Sequence, residues 1–127
     1  MARILLIEDD EALRKVYRSM LETAGHEVVE APDGREGIRR FRETPADLII
    51  TDLLMPRQDG VETIRELRRD FPGVRIIAIT GARGSYNRLP AAGSLGARQT
   101  LTKPVSLDDL LRAVREVLAE APPDASS

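Results

Sequence analysis

Four separated places in the chain carry side chains able to manage a phosphoryl group: the acidic run Glu8-Asp9-Asp10, then Asp52, Thr80 and Lys103. Glu8 and Asp9 offer hard oxygen ligands suited to Mg²⁺, which takes a few carboxylates and completes an octahedron with water. Asp52 can lend one carboxylate oxygen to such an ion and use the other as a nucleophile. The ion would neutralise incoming phosphoryl oxygens and relieve repulsion among the acids. Lys103 supplies a compact positive charge for a second phosphoryl oxygen, and Thr80 a hydroxyl for a third. Nothing in the set would deprotonate a substrate or orient a triad, so the chemistry stops at gaining and losing phosphate.

Each residue alone also has an ordinary structural role. Asp9 and Asp10 can cap a helix, Asp52 can cap a loop, Thr80 can be a turn hydroxyl, and Lys103 a solvated cation. Those roles lose force only if the fold gathers all four places on one rim, so the elements that position them decide the matter.

Short β-branched runs alternate with helical patterns. The runs are Arg3 to Glu8, Glu27 to Ala31, Leu48 to Asp52, Arg75 to Thr80 and Gln99 to Thr102. The first, third and fourth are apolar almost throughout, as strands covered on both faces are. Leu13, Val16, Tyr17, Met20, Leu21 and Ala24 follow helical spacing, and Gly25 stands where a helix-ending glycine belongs. Ile38 and Phe41 mark a second helix after the turn Pro32-Asp33-Gly34. Val61, Ile64, Leu67 and Phe71 mark a third, opened by Asp59-Gly60. Leu107, Leu110, Leu111, Val114, Val117 and Leu118 mark the last, with Ser106 as N-cap and Asp109 completing a loose capping box. Between Thr80 and Gln99, glycines and Pro90 leave room for a short helix near Leu89 to Leu95 behind a mobile loop. Five strands alternating with five helices make an open α/β sheet with right-handed crossovers. Function in such a sheet collects beyond the strand C-termini. The acidic run, Asp52, Thr80 and Lys103 stand at or just after four of those ends.

The 127 residues fit one domain with an adequate core. No cysteine is present, which removes disulfides, thiolate metal sites and thiol nucleophiles. Net charge of −2 and 3% aromatics argue against direct nucleic-acid binding. The opening apolar run is too short for a signal peptide or a membrane span, so a cytoplasmic protein is expected. A domain over residues 1–121 and a flexible tail over 122–127 are expected.

The stretches ILLIEDD (Ile4 to Asp10), LIITDLLMPRQDG (Leu48 to Gly60), AIT (Ala78 to Thr80) and LTKP (Leu101 to Pro104) resemble the receiver domains of two-component response regulators, chemotaxis-regulator-like ones included. The resemblance implies a flavodoxin-like (βα)5 three-layer sandwich whose parallel five-stranded sheet has the order 2-1-3-4-5. It implies Asp52 as phosphoacceptor, Thr80 as switch hydroxyl and Lys103 as phosphate-pairing lysine. Glu8, Asp9, Asp52 and the Leu54 backbone carbonyl become the Mg²⁺ ligands, and the Lys103-Pro104 bond is expected cis. Asp10 falls outside the acidic pair and reads as a cap. His26, the single histidine, reads as a surface residue. The implied partners are a sensor histidine kinase or histidine phosphotransfer protein, a downstream protein target, and a second copy of the chain through the fourth helix, fifth strand and fifth helix.

The sequence departs from the family pattern at several places, Pro90 and Gly93 among them because they weaken the fourth helix. Thr100 replaces the aromatic residue that often precedes the lysine on strand five. Leu54 and Ala82 are apolar where a hydrolytic water would need help, which implies slow loss of phosphate. Other readings stay open. One is the front segment of a longer transcriptional regulator. Another is an interaction domain independent of phosphorylation. A third is an aspartyl-nucleophile phosphatase, which Leu54 disfavours because such enzymes place a general acid two residues after the nucleophile.

Overall fold

The computed structural model describes residues 2–53, 60–80 and 97–120. Five strands, β1 (Arg3–Ile7), β2 (Glu27–Ala31), β3 (Leu48–Asp52), β4 (Ile76–Thr80) and β5 (Gln99–Thr102), form one parallel sheet in the order β2-β1-β3-β4-β5. Among the described residues there are four helices, α1 (Glu11–Thr23), α2 (Gly34–Glu43), α3 (Gly60–Asp70) and α4 (Leu107–Ala119). The short helix expected near Leu89 to Leu95 and its preceding loop lie outside the described residues, as do Leu54, Asp59 and Ala82. Strands one and four are each a residue shorter than expected, ending before Glu8 and starting after Arg75.

Alternation along the strands creates two cores. Leu5, Ile7, Ile49, Ile76 and Ala78 face α2 and α3, where they meet Ile38, Phe41, Ile64 and Leu67. Ile4, Leu6, Ile50, Ile77 and Ile79 face α1 and α4, where they meet Tyr17, Leu21, Leu110 and Val114. The two-residue period sends neighbours to opposite sides, and helices on both sides cover them. That is why β3 and β4 carry apolar residues at nearly every position.

The helices start and stop as their end residues dictate. Asp10, Asp33 and Ser106 accept the backbone N–H groups of Leu13, Glu36 and Asp109, capping α1, α2 and α4. The Asp109 carboxylate stands 3.7 Å from Arg112, so it serves an ion pair and the capping box is one-sided. Gly25 has φ of 93°, the left-handed conformation that closes a helix. Two apolar positions depart from the expected stripes: Val16 is 47% and Leu107 42% exposed. Both sit at the margin of their helix's buried stripe, where spacing alone does not separate core from rim.

Gly60 begins α3 close against the end of β3, and its N–H donates to the Leu53 carbonyl at 2.8 Å. A Cβ there would run into the Asp52 carbonyl and Leu53 Cα, whereas at Gly37 it would crowd the Ile7 side chain and touch Ala31 Cβ at ordinary distance. Gly60→Ala is therefore expected to destabilise the protein by about 2–3 kcal/mol and by more than Gly37→Ala, because backbone yields less readily than a side chain. Urea unfolding of the two variants measures the difference.

Candidate functional site

The rim is assembled where β1 and β3 lie side by side. The connection from β1 leads outward to β2 on one side, and the chain then returns to β3 on the other. Such a reversal of strand order leaves a crevice at the strand C-termini. Glu8 and Asp9 follow β1 directly, and Asp52 is the last residue of β3. Three carboxylate oxygens, one each from Glu8, Asp9 and Asp52, lie within 4.8 Å of one another. Glu8 and Asp52 are buried, 2% and 4% exposed, while Asp9 is open to solvent.

Lys103 reaches this cluster from the far side of the sheet. Its Nζ donates to Asp52 Oδ2 at 2.7 Å and stands 3.4 Å from Glu8 Oε1. Its own N–H donates to the Thr80 carbonyl at 2.8 Å, which ties the lysine to the end of β4. The Lys103-Pro104 bond is cis, as expected. Thr80 is buried one residue beyond Ile79, the ladder partner of Asp52, and its hydroxyl donates to the Leu101 carbonyl at 3.4 Å. Lys103, Asp52, Glu8 and Asp9 are thus brought together, while Thr80 borders them with its hydroxyl turned to β5. Asp10 stays out of the cluster as a cap, and its N–H donates to Glu8 Oε2 at 3.2 Å. The expected metal ligand Leu54 falls outside the described residues. His26 lies at the opposite pole before β2, half-buried, with Nδ1 accepting the Ala2 N–H at 3.2 Å, so it is less exposed than its sequence context suggests.

The electrostatics follow from burial and crowding. Glu8 is pushed up to about 7, first by burial and then by the negative charge of Asp52, against the opposing pull of the Asp10 N–H and Lys103. Burial by itself would push the Lys103 ammonium down, but its hydrogen bond to Asp52 and the charges of Asp52 and Glu8 outweigh that and raise it. Tyr17, at the edge of the same field, is raised mainly by burial. Glu8 Oε1 is a buried oxygen with no hydrogen-bond donor, although Lys103 stands near. Buried orphan acceptors are costly. An all-oxygen carboxylate cluster with one such orphan fits a small hard divalent cation.

Two contributors were not singled out in the sequence. Arg14 donates to the Glu8 carbonyl at 2.8 Å, and Glu30 on β2 holds Arg14 in place at 2.7 Å. In sequence Arg14 is one more charged residue on an amphipathic helix. Only the closeness of α1 to β2 reveals its target.

The chain matches the family model "Response regulator receiver domain" over residues 4–115. Among curated proteins it is 37% identical to the transcriptional regulatory protein GlrR of Escherichia coli K12, over 96% of this chain and 27% of that protein. It is also 37% identical to the response regulator MprA of Mycolicibacterium vanbaalenii, over 96% of this chain and 52% of that protein. The chain therefore spans about a quarter to a half of the length of these relatives. A receiver domain structure from Clostridium thermocellum superposes with a TM-score of 0.87 at 33% identity, covering 93% of this chain and 94% of that one. The response regulator TrrA of Thermotoga maritima, crystallised with Mg²⁺–BeF, gives 0.82 at 28% identity, covering 92% and 99%. No described helix is long and apolar enough to cross a membrane.

The raised Glu8 sets a pH dependence for the metal-free protein. Its folded value lies above the unfolded 4.5, so the folded state binds the proton more tightly. The stability this adds is fully present below about pH 4.5 and is lost as pH rises through about 7. Chemical denaturation across that window is expected to show the decline in wild type and a flatter curve in Glu8→Gln.

Proposed function

Because the chain belongs to the response regulator receiver domain family, we propose that Asp52 is its phosphoryl acceptor, charged by a sensor histidine kinase or histidine phosphotransfer protein with Mg²⁺ held by Glu8, Asp9, Asp52 and the Leu54 carbonyl. One observation carries the reading: Lys103 Nζ bonds Asp52 Oδ2 at 2.7 Å while the buried Glu8 oxygen beside them has no donor. A nucleophile, a countercharge and a carboxylate cluster suited to a cation then share one crevice. Mg²⁺, when bound, supplies charge neutralisation for the phosphoryl oxygens.

The remaining steps belong to this chain's own residues. An Asp52 carboxylate oxygen attacks phosphorus, the P–N bond of the donor phosphohistidine breaks, and an acyl phosphate forms as the imidazole leaves and takes a proton from solvent. Lys103 turns its ammonium from the carboxylate to a phosphoryl oxygen. Thr80 then exchanges its long bond to the Leu101 carbonyl for a phosphoryl oxygen, and this exchange transmits the phosphorylation state to β5. Thr100 is exposed on that strand, so a buried-to-exposed aromatic swing is replaced by rearranged hydrogen bonds. The site turns over only its own phosphoryl group, in a cytoplasmic setting. The lengths and names of GlrR and MprA support a second reading, in which this receiver governs an attached or partner transcriptional output.

Incubation with acetyl phosphate and Mg²⁺ is expected to add one phosphoryl group, read by intact mass. Asp52→Asn should gain none, and Lys103→Met should react more slowly by on the order of a hundredfold. Incorporation that survives in Asp52→Asn would sink the assignment. Sustained hydrolysis of aryl phosphates would instead favour an enzyme.

A further inference from the structure

The edge strand β2 supplies neither a phosphoryl-handling group nor one of the clustered carboxylates, yet it reaches the acid rim through a largely buried ion pair. Arg14 Nε donates to Glu30 Oε1 at 2.7 Å, and Arg14 Nη1 donates to the Glu8 carbonyl at 2.8 Å. The two side chains are only 14% and 17% exposed. The second Glu30 oxygen accepts from Arg18, which also pairs with Glu22 at 2.9 Å. These arginines, Arg18 first and then Arg14, hold the Glu30 carboxyl below its usual range.

The Glu8 carbonyl belongs to the peptide unit that joins Glu8 to Asp9. That unit is planar, so a bond to its oxygen also fixes the direction of the Asp9 N–H and Cα. The Glu8 N–H is occupied as well, donating to the Ala31 carbonyl of β2 at 3.1 Å. Both polar groups of the Glu8 backbone are therefore referred to β2, one directly and one through Arg14 and Glu30. A single guanidinium spans carbonyl and carboxylate at once, whereas an ammonium lacks that rigid fork.

We infer that Arg14, braced by Glu30, is a positioning residue that fixes the peptide plane between Glu8 and Asp9 and so sets the spacing of the two carboxylates presented to a divalent cation. The inference rests on the Mg²⁺ reading above. Groups that orient metal ligands in this way typically contribute a factor of about 10–100 in metal affinity. An Arg14 that merely tied α1 to β2 would change stability and leave cation affinity alone.

The test uses the whole chain with Arg14→Met, Arg14→Lys and Glu30→Gln. Calorimetric titration with Mg²⁺ is expected to show about tenfold weaker binding for Arg14→Met, with Arg14→Lys between it and wild type. The Mg²⁺ concentration for half-maximal Asp52 phosphorylation should rise by more than the saturated rate falls. In metal-free protein, amide exchange at Asp9 and Asp10 should accelerate relative to α2. Unchanged Mg²⁺ affinity in a folded variant overturns the inference, as does unchanged exchange at Asp9 and Asp10. If Arg14→Met does not fold, Arg14→Lys and Glu30→Gln face the same two criteria. A wild-type chain that binds no Mg²⁺ would remove the Mg²⁺ reading, whereas a loss confined to the variants' melting temperatures would remove only the role of Arg14.

Discussion

Among the described residues, three carboxylates meet one ammonium at the rim of the sheet, and this crowding of charge governs the structure around it. Glu8 and Asp52 are withdrawn from water, so their mutual repulsion is poorly screened, and Lys103 can answer only part of it. A buried pair of acids is a net cost to folding unless something compensates. The cost is carried by the apolar strands β1, β3 and β4, whose side chains are almost wholly buried on both faces. The arrangement therefore places instability where a ligand can relieve it and stability where no ligand acts.

The sheet topology makes the crowding specific. Parallel strands point all their C-termini to one side, and the reversal between β1 and β3 opens a crevice there. Glu8 and Asp9 come from one wall of that crevice and Asp52 from the other. Lys103 crosses from β5 because its backbone is pinned to the Thr80 carbonyl. Local sequence supplies the chemistry, and long-range pairing supplies the distances. A shift of one residue in the β1–β3 register would send the alternating side chains to the wrong faces and separate the acids.

Much of this was legible in the sequence because the relevant signals are short-range. The short strand-like runs located all five strands to within one residue, and β1, β3 and β4, buried on both faces, leave few polar positions to confuse them. Asp10 and Ser106 declared themselves as caps by preceding helical spacing. The cluster of Glu8, Asp9, Asp52 and Lys103 was legible because each falls at or just past a strand end. Strand order itself followed from the family likeness, not from periodicity. What escaped was tertiary: the exposure of Val16 and Leu107, the half-burial of His26, and the path from Glu30 through Arg14 to the Glu8 carbonyl. An arginine's spacing does not tell which carbonyl it will find. Thr80 was read as a switch hydroxyl, and the neighbour that this hydroxyl rests on, the Leu101 carbonyl, is set by the adjacent strand.

The separation of the interior into two cores has a consequence for how the molecule tolerates change. Among the described residues, the α2–α3 core and the α1–α4 core lie on opposite faces of the sheet, and the buried residues of one are not those of the other. Energetic effects of substitutions add when sites are distant and share no partners. Repacking beneath Phe41 and repacking beneath Leu110 should therefore combine as independent events, leaving each helical surface free to change without disturbing the other. The rim residues have no such freedom, since Asp52 bears on the charge state of both Glu8 and Lys103.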